Sequence, residues 1–369
     1  MATAKDLAAI EKLIANPLNR LTVGEKTIAG IIGDGPSHYS KSPALWNAAF
    51  SELAMDAIYL PFDVDAAHVG ELLDTLRASE RFMGVNVTVP HKVRVLDFLD
   101  QIDAGAARIG AVNTIVKNGA GKLVGYNTDG EGFIESLRVA SPGQHEGFMN
   151  SLDGVDVLLL GAGGSARAVA FHVSDRMGAG KLIIANRTVE HAEALAEEIR
   201  KLGRQALAID EAGMANWAAK VGLIINSTTK GQGGVRQLAD GLATVLEPYS
   251  ALAPAHPPSL AADRGDNFEQ RWSEDARADI AANNRSSETL AKSIPQDTRF
   301  YDLIYHPVET VFLRHGRLSG HKTMNGKSMI VCQAVIAFCK RICQKQLAEL
   351  GKDNAETFRQ ITEIMYRAW

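Results

Sequence analysis

The stretch that most constrains the fold of this chain is VDVLLLGAGGSARA, residues 155–168, where a nearly continuous apolar run leads into a glycine-rich turn. A strand without polar alternation is typical of a parallel sheet that is covered on both faces. The turn fits the pattern G-x-G-x-x-A, and a helical pattern follows it directly. Together these features predict a dinucleotide site of the Rossmann type, with the pyrophosphate at the N-terminus of the helix.

Each part of this turn has a physical role in cofactor binding. The first glycine allows the tight turn, the second lets the pyrophosphate approach the backbone, and the small last residue lets the helix pack closely on the strand. We therefore predict that the cofactor-binding residues include Gly161, Ala162, Gly163, Gly164, Ser165 and Ala166.

The end of the next predicted strand, KLIIAN at residues 181–186, indicates which cofactor is bound. An NAD site usually has Asp or Glu there, which accepts from the 2′-hydroxyl of the adenosine ribose. This chain has Asn186, Arg187 and Thr188, and a guanidinium pairs well with a 2′-phosphate. The lack of a carboxylate in these three residues also avoids repulsion against that phosphate. The sequence therefore favours NADP, with NAD the less favoured alternative.

Strand patterns alternate with helical patterns along much of the chain. In the first series, strands are predicted at residues 26–33, 57–64, 84–89 and 111–116, and helices at 44–54 and 69–78. A second series begins at Val155. Such alternation implies largely parallel sheets flanked by helices. Two sheets built one after the other predict an α/β protein of two domains, with a boundary near residues 127–130.

Three other regions have distinct patterns. Residues 230–300 are rich in Ala, Pro, Asp, Asn and Ser with little apolar periodicity, which predicts a surface insertion with one or two short helices. The charges within residues 263–279 are typical of a solvated face. The first 20 residues predict a short amphipathic helix, and the C-terminal third predicts long, mostly buried helices.

Composition excludes several function classes. Hydrophobic residues are 46% of the chain and charged residues 22%, and the net charge of −4 gives no electrostatic reason to expect a nucleic-acid partner. No apolar stretch is long enough for a membrane span. The three cysteines, Cys332, Cys339 and Cys343, lie in one helical pattern without metal-ligand spacing, so we expect helix packing and no metal site. Few, clustered thiols favour a reducing compartment, and we predict a cytoplasmic protein that is a monomer or a homodimer.

The stretch NVTVPHK, residues 86–92, ends a predicted strand with a proline and two titratable side chains. An enzyme that transfers a hydride to or from an alcohol needs a group that exchanges the hydroxyl proton, and a lysine with a suitable partner can do this. Lys92 is a candidate, and Asp129 in GYNTDG, at the predicted domain boundary, is its candidate partner. Spacing alone leaves open that Lys92 is an ordinary surface charge.

Several motifs occur in an order that resembles the shikimate dehydrogenase family. They are NVTVPHK, GAVNT at 110–114, GYNTDG at 125–130, GAGGSARA at 161–168 and NRT at 186–188, with SKSP at 40–43 and YDLIYHP at 301–307. The resemblance implies an N-terminal α/β substrate domain plus a Rossmann NADP-binding domain, with a cleft between them. It assigns residues 1–129 with 323–369 to the first domain and 130–322 to the second, which carries an insertion at about 236–298.

The resemblance also implies the activity and the residues that carry it. Family members interconvert 3-dehydroshikimate and shikimate, and some accept quinate. Lys92 and Asp129 match the catalytic pair. The residues that match the substrate carboxylate site are Ser40, Ser42 and Tyr305. Those that match contacts to the ring hydroxyls are Asn86, Thr88, Asn113 and Gln333. Further cofactor contacts are expected at Ser227, Thr228, Leu303 and Gly326.

Two departures from the family pattern leave alternatives open. Trp46 stands where the family usually has histidine, and we expect its bulk near the carboxylate-binding strand, where it would alter the fit. Ser328 replaces a common glycine in a turn that approaches the nicotinamide in relatives, and we expect its Cβ to restrict the backbone there. A quinate or aminoshikimate-type dehydrogenase is the nearest alternative activity. A non-catalytic ligand sensor is another, although it would have no need of the lysine–aspartate pair.

Overall fold

A computed structural model describes residues 2–238, 240–261 and 267–369. The chain forms two compact units. The first unit comprises Met1–Glu135 and Ile330–Trp369, and the second comprises Ser136–Met329.

The first unit contains a six-stranded sheet in the order β2-β1-β3-β5-β6-β4. Its strands are β1 (Thr27–Gly33), β2 (Ala57–Asp63), β3 (Phe82–Val87), β4 (Gln101–Ile102), β5 (Thr114–Lys117) and β6 (Leu123–Tyr126). All four strands predicted in this region are present. The sheet is mixed, however, because β5 runs antiparallel to both β3 and β6. The pairings β1–β2, β1–β3 and β4–β6 are parallel, as predicted. The pairings of β5 depart from the prediction, since the short turn between β5 and β6 can only join antiparallel strands.

Helices pack on this sheet, and the helices predicted at residues 44–54 and 69–78 are among them. Those in the N-terminal part are α1 (Ala2–Glu11), α2 (Arg20–Val23), α3 (Pro36–Tyr39), α4 (Ser42–Glu52), α5 (Val69–Ala78), α6 (Ala104–Ile109) and α7 (Asp129–Arg138), with a 3₁₀ helix at Arg94–Phe98. Helix α4 begins two residues before its predicted start, because Pro43 is well suited to the first turn of a helix. The helix predicted at the N-terminus is α1.

The second unit contains a six-stranded sheet in which all strands are parallel, in the order β15-β14-β10-β7-β8-β9. Three other strands form a small antiparallel sheet. The strands of this unit are β7 (Val157–Leu160), β8 (Lys181–Ala185), β9 (Gln205–Ile209), β10 (Leu223–Asn226), β11 (Val235–Gln237), β12 (Leu242–Val245), β13 (Leu260–Ala261), β14 (Arg299–Asp302) and β15 (Thr323–Met324). The large sheet confirms the Rossmann-type fold, since β7 and β10 are buried at every position.

The remaining helices complete the chain. They are α8 (Gly164–Ser174), α9 (Val189–Lys201), α10 (Met214–Ala218), α11 (Phe268–Ser293), α12 (Val311–Leu318), α13 (Lys327–Ala337), α14 (Gln344–Glu349) and α15 (Ala355–Arg367), with a π-helix at Phe338–Ile342. None of the helices in the described ranges is long and apolar enough to cross a membrane.

The insertion differs from the prediction of one or two short helices, because α11 is a single helix of 26 residues that packs beside the sheet of β11–β13. Two polar residues lie on the buried side of α11, and they interrupt the apolar spacing from which a helix is predicted. Asn283 bonds to the backbone of Ser250, and Ser287 bonds to the Ser250 hydroxyl. Residues 263–266 of the predicted solvated face lie outside the described residues, but the charged side chains at 269–277 are exposed as predicted.

The core of the first unit lies on both faces of its sheet. One face packs against α4, α13, the π-helix and α15, and the other against α1 and α5. The three cysteines are buried and free, which confirms that they serve helix packing. Burial raises the pKa of Cys332 and of Cys339 to about 12.

Candidate active site

Lys92 and Asp129, the pair predicted to exchange a proton with substrate, are in direct contact in the first unit. Lys92 follows β3 and the Pro90 turn, while Asp129 is the first residue of α7. Lys92 Nζ donates to Asp129 Oδ2 at 2.6 Å. The lysine side chain is 27% exposed and the aspartate 9%. The Lys92 ammonium group is therefore accessible to a ligand, while the Asp129 carboxylate that binds it is largely buried.

Asp129 is fixed by other groups as well. Its Oδ1 accepts from Asn113 Nδ2 at 2.8 Å, and its backbone N–H donates to Asn127 Oδ1 at 3.1 Å. Its place in the first turn of α7 puts the carboxylate at the positive end of the helix dipole. Each carboxylate oxygen therefore has a partner, and the oxygen that binds Lys92 has a defined direction.

Asn113 is the centre of a buried polar network. Besides Asp129, its Nδ2 lies 3.0 Å from Thr128 Oγ1 and 3.3 Å from Gln333 Oε1. Its Oδ1 accepts from the Thr128 backbone N–H at 2.8 Å and from Thr114 Oγ1 at 3.0 Å. The structure thus brings Asn113 and Gln333, which are far apart in the sequence, into one cluster with Lys92 and Asp129.

Asn86 joins this cluster on the side of β3. Its Nδ2 donates to Thr114 Oγ1 at 3.0 Å and to the Asn113 carbonyl at 3.3 Å. Its Oδ1 accepts from the hydroxyl of Tyr59 on β2 at 2.7 Å. The sequence analysis did not single out Tyr59, Thr114 or Thr128. The two threonines lie inside the motifs GAVNT and GYNTDG, but nothing in the strand pattern around Tyr59 distinguishes it.

The two serines predicted to bind the carboxylate lie at a helix junction. Ser40 caps the C-terminus of α3, and Ser42 begins α4. The Ser42 backbone N–H donates to Ser40 Oγ at 3.2 Å. Thr88 follows β3 and donates through its backbone N–H to the Ile32 carbonyl at 2.9 Å. All three lie in the first unit together with Lys92 and Asp129.

Trp46 lies in the core of the first unit. Its side chain is fully buried and stacks on Tyr59, with ring centroids 4.7 Å apart, and it also packs against Phe338 at 5.0 Å. The inward face of α4 turns the indole into the core, and the effect of its bulk on the fit of the substrate carboxylate stays a prediction.

The glycine-rich turn of the second unit has the geometry expected of a pyrophosphate site. Gly161 has φ of +104°, which favours glycine, and a Cβ there would lie 2.8 Å from Ser227 Oγ. Positions 163 and 164 face open space, since a Cβ at either would meet no heavy atom within 4 Å. Helix α8 starts at Gly164, and Ala166 is fully buried against the sheet. The turn therefore leaves room for a phosphate at a helix N-terminus.

Two further predicted cofactor residues adjoin this turn. Ser227 and Thr228 follow β10, the neighbour of β7. The Ser227 hydroxyl donates to the Leu160 carbonyl at 2.6 Å, and the Thr228 hydroxyl donates to Asn226 Oδ1 at 2.7 Å. The ends of both strands therefore meet at the edge where dinucleotides bind in such sheets.

The turn after β8 carries the residues predicted to contact the 2′-phosphate. Asn186 Nδ2 donates to the Thr188 carbonyl at 2.7 Å, which closes the turn. Arg187 and Thr188 are exposed at this edge. An exposed guanidinium in a turn without a carboxylate fits a phosphate better than a ribose hydroxyl.

Leu303 and Tyr305 follow β14, and Gly326 follows the edge strand β15, in the second unit. The Leu303 backbone N–H donates to the Asn226 carbonyl at 2.9 Å, so this segment lies beside the end of β10. A Cβ at Gly326 would lie 2.0 Å from the Leu303 carbonyl oxygen, so only glycine allows this approach. Tyr305 is partly buried, which raises its pKa, and it belongs to the second unit, unlike the other predicted substrate residues.

Ser328 does not have the effect expected of it. It is the second residue of α13, so its backbone is helical and its Cβ causes no strain. Its hydroxyl bonds with that of Ser141 at 3.2 Å. The substitution of a common glycine here is therefore accommodated by the helix.

Asp302 is a buried carboxyl group that the sequence analysis missed, although it lies within YDLIYHP. It accepts from Asn226 Nδ2 at 3.0 Å, from Thr310 Oγ1 at 2.6 Å and from the Ile304 N–H at 2.9 Å. Burial raises its pKa to about 7 despite these hydrogen bonds, which oppose the rise. The group joins β10 to the segment that carries Leu303 and Tyr305.

Comparison with known proteins gives matches over most of the chain. The family model described as "Shikimate dehydrogenase substrate binding domain" matches residues 31–115, and the one described as "Shikimate / quinate 5-dehydrogenase" matches residues 145–237. The shikimate dehydrogenase (NADP(+)) of Carboxydothermus hydrogenoformans is 34% identical over 318 residues, which are 86% of this chain and 92% of that protein.

Solved structures are similar as well. The shikimate 5-dehydrogenase of Thermus thermophilus, in complex with NADP(H) and shikimate, is 26% identical with a TM-score of 0.60 over 93% of this chain and 99% of that chain. The quinate dehydrogenase of Corynebacterium glutamicum, in complex with NAD, is 26% identical with a TM-score of 0.63 over the same shares of the two chains. The similarity therefore covers nearly the whole length of these proteins.

Proposed function

The chain belongs to the shikimate dehydrogenase family, and from this premise we propose that it is an NADP-dependent dehydrogenase that interconverts 3-dehydroshikimate and shikimate. The observation that carries the proposal is the contact of 2.6 Å between Lys92 Nζ and Asp129 Oδ2, with Asn113 on the other carboxylate oxygen. An enzyme of this kind needs a proton donor that is accessible and held in one direction, and this pair supplies it.

In the proposed mechanism Lys92 exchanges the proton of the substrate oxygen. The nicotinamide cofactor, when bound, supplies or accepts the hydride. In the direction of reduction the Lys92 ammonium donates a proton to the carbonyl oxygen, and in the direction of oxidation the neutral amine accepts the hydroxyl proton. Asp129 orients Lys92 through its hydrogen bond to Nζ.

We assign the substrate carboxylate to the hydroxyls of Ser40, Ser42 and Tyr305. The ring hydroxyls are assigned to Asn86, Thr88, Asn113 and Gln333. This set supplies neutral donors and acceptors, as a small anion with several hydroxyl groups requires. Because the Asn113 amide already bonds to Asp129 Oδ1 at 2.8 Å, we propose that Asn113 also keeps the catalytic carboxylate in place.

We assign NADP to the second unit. The turn at 161–166 would hold the pyrophosphate at the start of α8, and the turn at 186–188 would hold the 2′-phosphate through Arg187. Ser227, Thr228, Leu303 and Gly326 complete the proposed cofactor contacts. The division proposed from the sequence gives residues 1–129 with 323–369 to substrate and 130–322 to cofactor.

Quinate is the second candidate substrate. The family model that matches residues 145–237 names quinate as well as shikimate, and a quinate dehydrogenase is among the similar structures. That structure contains NAD, so a change of substrate and a change of cofactor need separate tests. An aminoshikimate-type activity would use the same proton-transfer pair.

The test is the absorbance of reduced nicotinamide when purified protein is mixed with NADP and shikimate, with quinate and NAD in parallel reactions. We expect turnover with shikimate and NADP that is lost in Lys92→Ala. Turnover with quinate alone would replace the proposed substrate. Tight shikimate binding without turnover of any pair would favour a ligand sensor and would contradict the proposal.

A cytoplasmic location and a monomeric or homodimeric state are also proposed. The three buried free thiols fit a reducing compartment. Fractionation of cells and light scattering of the purified protein test these two statements.

A further inference from the structure

Tyr59 is a buried side chain that is held at three points in the first unit. Asn47 makes two hydrogen bonds with the Tyr59 backbone. Its Nδ2 donates to the Tyr59 carbonyl at 3.0 Å, and its Oδ1 accepts from the Tyr59 N–H at 2.9 Å. Trp46 stacks on the ring at 4.7 Å with an interplanar angle of 27°. The hydroxyl donates to Asn86 Oδ1 at 2.7 Å. The position of the phenol oxygen is therefore determined by its surroundings.

The Tyr59 hydroxyl is also protonated and can donate a hydrogen bond. Burial raises the pKa of Tyr59 well above its usual value, and a hydrogen bond with the Ser42 side chain opposes this rise. The hydroxyl therefore keeps its proton, and Asn86 Oδ1 is the acceptor for it.

The amide of Asn86 has only one satisfactory orientation. Its two Nδ2 hydrogens are directed at Thr114 Oγ1 and the Asn113 carbonyl, at 3.0 and 3.3 Å. A flipped amide would place its oxygen against the Asn113 carbonyl oxygen, which can only accept. It would also remove the acceptor of the Tyr59 hydroxyl. With both hydrogens used, Asn86 has only a lone pair of Oδ1 left to offer a ligand.

Helix α4 carries a proposed substrate contact beside this arrangement, because the Ser42 side chain is hydrogen-bonded to Tyr59. Ser42 begins the helix, and Trp46 lies one turn later on the same side. The same helix thus carries a proposed carboxylate contact and the aromatic surface on which Tyr59 rests.

Resting on the proposed function, we infer that Tyr59 is a positioning residue for substrate binding. Its hydroxyl holds Asn86 so that the carboxamide accepts a hydrogen bond from a substrate hydroxyl and does not donate one. Trp46 and Asn47 hold the tyrosine in place for this role.

The first variant is Tyr59→Phe, which keeps the ring and its stacking and removes one hydroxyl. We expect the KM for shikimate to rise about 10-fold, as for the loss of one buried hydrogen bond, with kcat changed less than about twofold. The KM for NADP stays unchanged. Tyr301→Phe is the matched control, because it removes another buried hydroxyl, which bonds to Ser136 at 2.7 Å in the second unit. This control leaves the KM for shikimate unchanged.

A double-mutant cycle separates positioning from a general loss of stability. If Tyr59 acts through Asn86, Tyr59→Phe changes kcat/KM less than about twofold in an Asn86→Ala background. An equal loss in both backgrounds, or an unchanged KM in the single variant, overturns the inference while the proposed function stands. A wild-type protein without turnover overturns both.

Trp46→Phe provides a second variant if Tyr59→Phe does not fold. It reduces the stacking surface under Tyr59 without touching a proposed ligand contact. We expect a rise in the KM for shikimate in the same direction and of smaller size. An unchanged KM in a folded Trp46→Phe variant counts against the inference.

Discussion

Asn113 Nδ2 donates to Asp129 Oδ1 at 2.8 Å, on the side of the carboxylate opposite the oxygen that binds Lys92. The amide therefore prevents rotation of the carboxylate and keeps Lys92 in one direction. Asn113 is itself held by Thr128, through the backbone N–H at 2.8 Å. The carboxylate that we propose orients Lys92 is thus held by a residue that the resemblance assigned to substrate binding.

The first prediction concerns Asn113→Ala. Removing the amide leaves Asp129 Oδ1 without its donor, and we expect kcat to fall about 10- to 100-fold, the cost of one buried hydrogen bond to a charged group. Steady-state kinetics with saturating shikimate and NADP measures this. If only the KM for shikimate rises and kcat is unchanged, Asn113 binds substrate and does not hold Asp129.

The second prediction concerns Gly132, which lies in α7 against α13. A Cβ at this position would lie 2.5 Å from the Gln333 Cβ. We expect Gly132→Ala to lower the free energy of unfolding by about 1–3 kcal/mol, because overpacking outweighs the gain in helix propensity. Displacement of Gln333 should also raise the KM for shikimate.

Gly119→Ala is the control for this change, because a Cβ there would meet no heavy atom within 4 Å. Urea unfolding of the two variants and the wild type gives the comparison. Equal stability of Gly132→Ala and Gly119→Ala would show that α7 and α13 can separate without cost.

The third prediction concerns Arg187, the exposed residue after β8. Loss of a charge-assisted contact to the 2′-phosphate should lower kcat/KM for NADP about 10- to 100-fold in Arg187→Ala, with little change for NAD. Arg204→Ala, another exposed arginine of the second unit, is the matched control. An equal fall in kcat/KM with NADP and with NAD would mean that Arg187 does not bind the 2′-phosphate.

The fourth prediction concerns the pH dependence of stability. Burial raises the pKa of Asp302 to about 7 from the usual 3.8, so the folded state retains a proton that the unfolded state has lost. Stability therefore falls as pH rises from about 4 to about 7, and is level above that range, with a total change on the order of 4 kcal/mol.

The variant Asp302→Asn has no carboxyl group at this position and should lose that slope. Asp297→Asn, at an exposed aspartate nearby in sequence, should keep it. Urea unfolding at several pH values between these limits measures both. Parallel stability curves for the wild type and Asp302→Asn would contradict the raised pKa.

Several elements of the fold could be read from local pattern. The strand, turn and helix at 155–174 were predicted because apolar continuity and glycine spacing are local properties of the chain. The antiparallel direction of β5 was missed, since strand direction depends on which neighbour pairs with it. The single helix α11 was missed because Asn283 and Ser287 are buried through hydrogen bonds to Ser250, and a polar residue interrupts an apolar period.

The sequence by itself determined the Rossmann-type unit, because apolar continuity and glycine spacing are local properties of the chain. Lys92 and Asp129 were paired by the family resemblance, since spacing alone left their pairing open. Tertiary structure decided how the site is supported. Tyr59 and Gln333 reach the same polar cluster from β2 and α13, which are far apart along the chain. Such contacts depend on packing between elements, and no local pattern around either residue encodes the partner it meets.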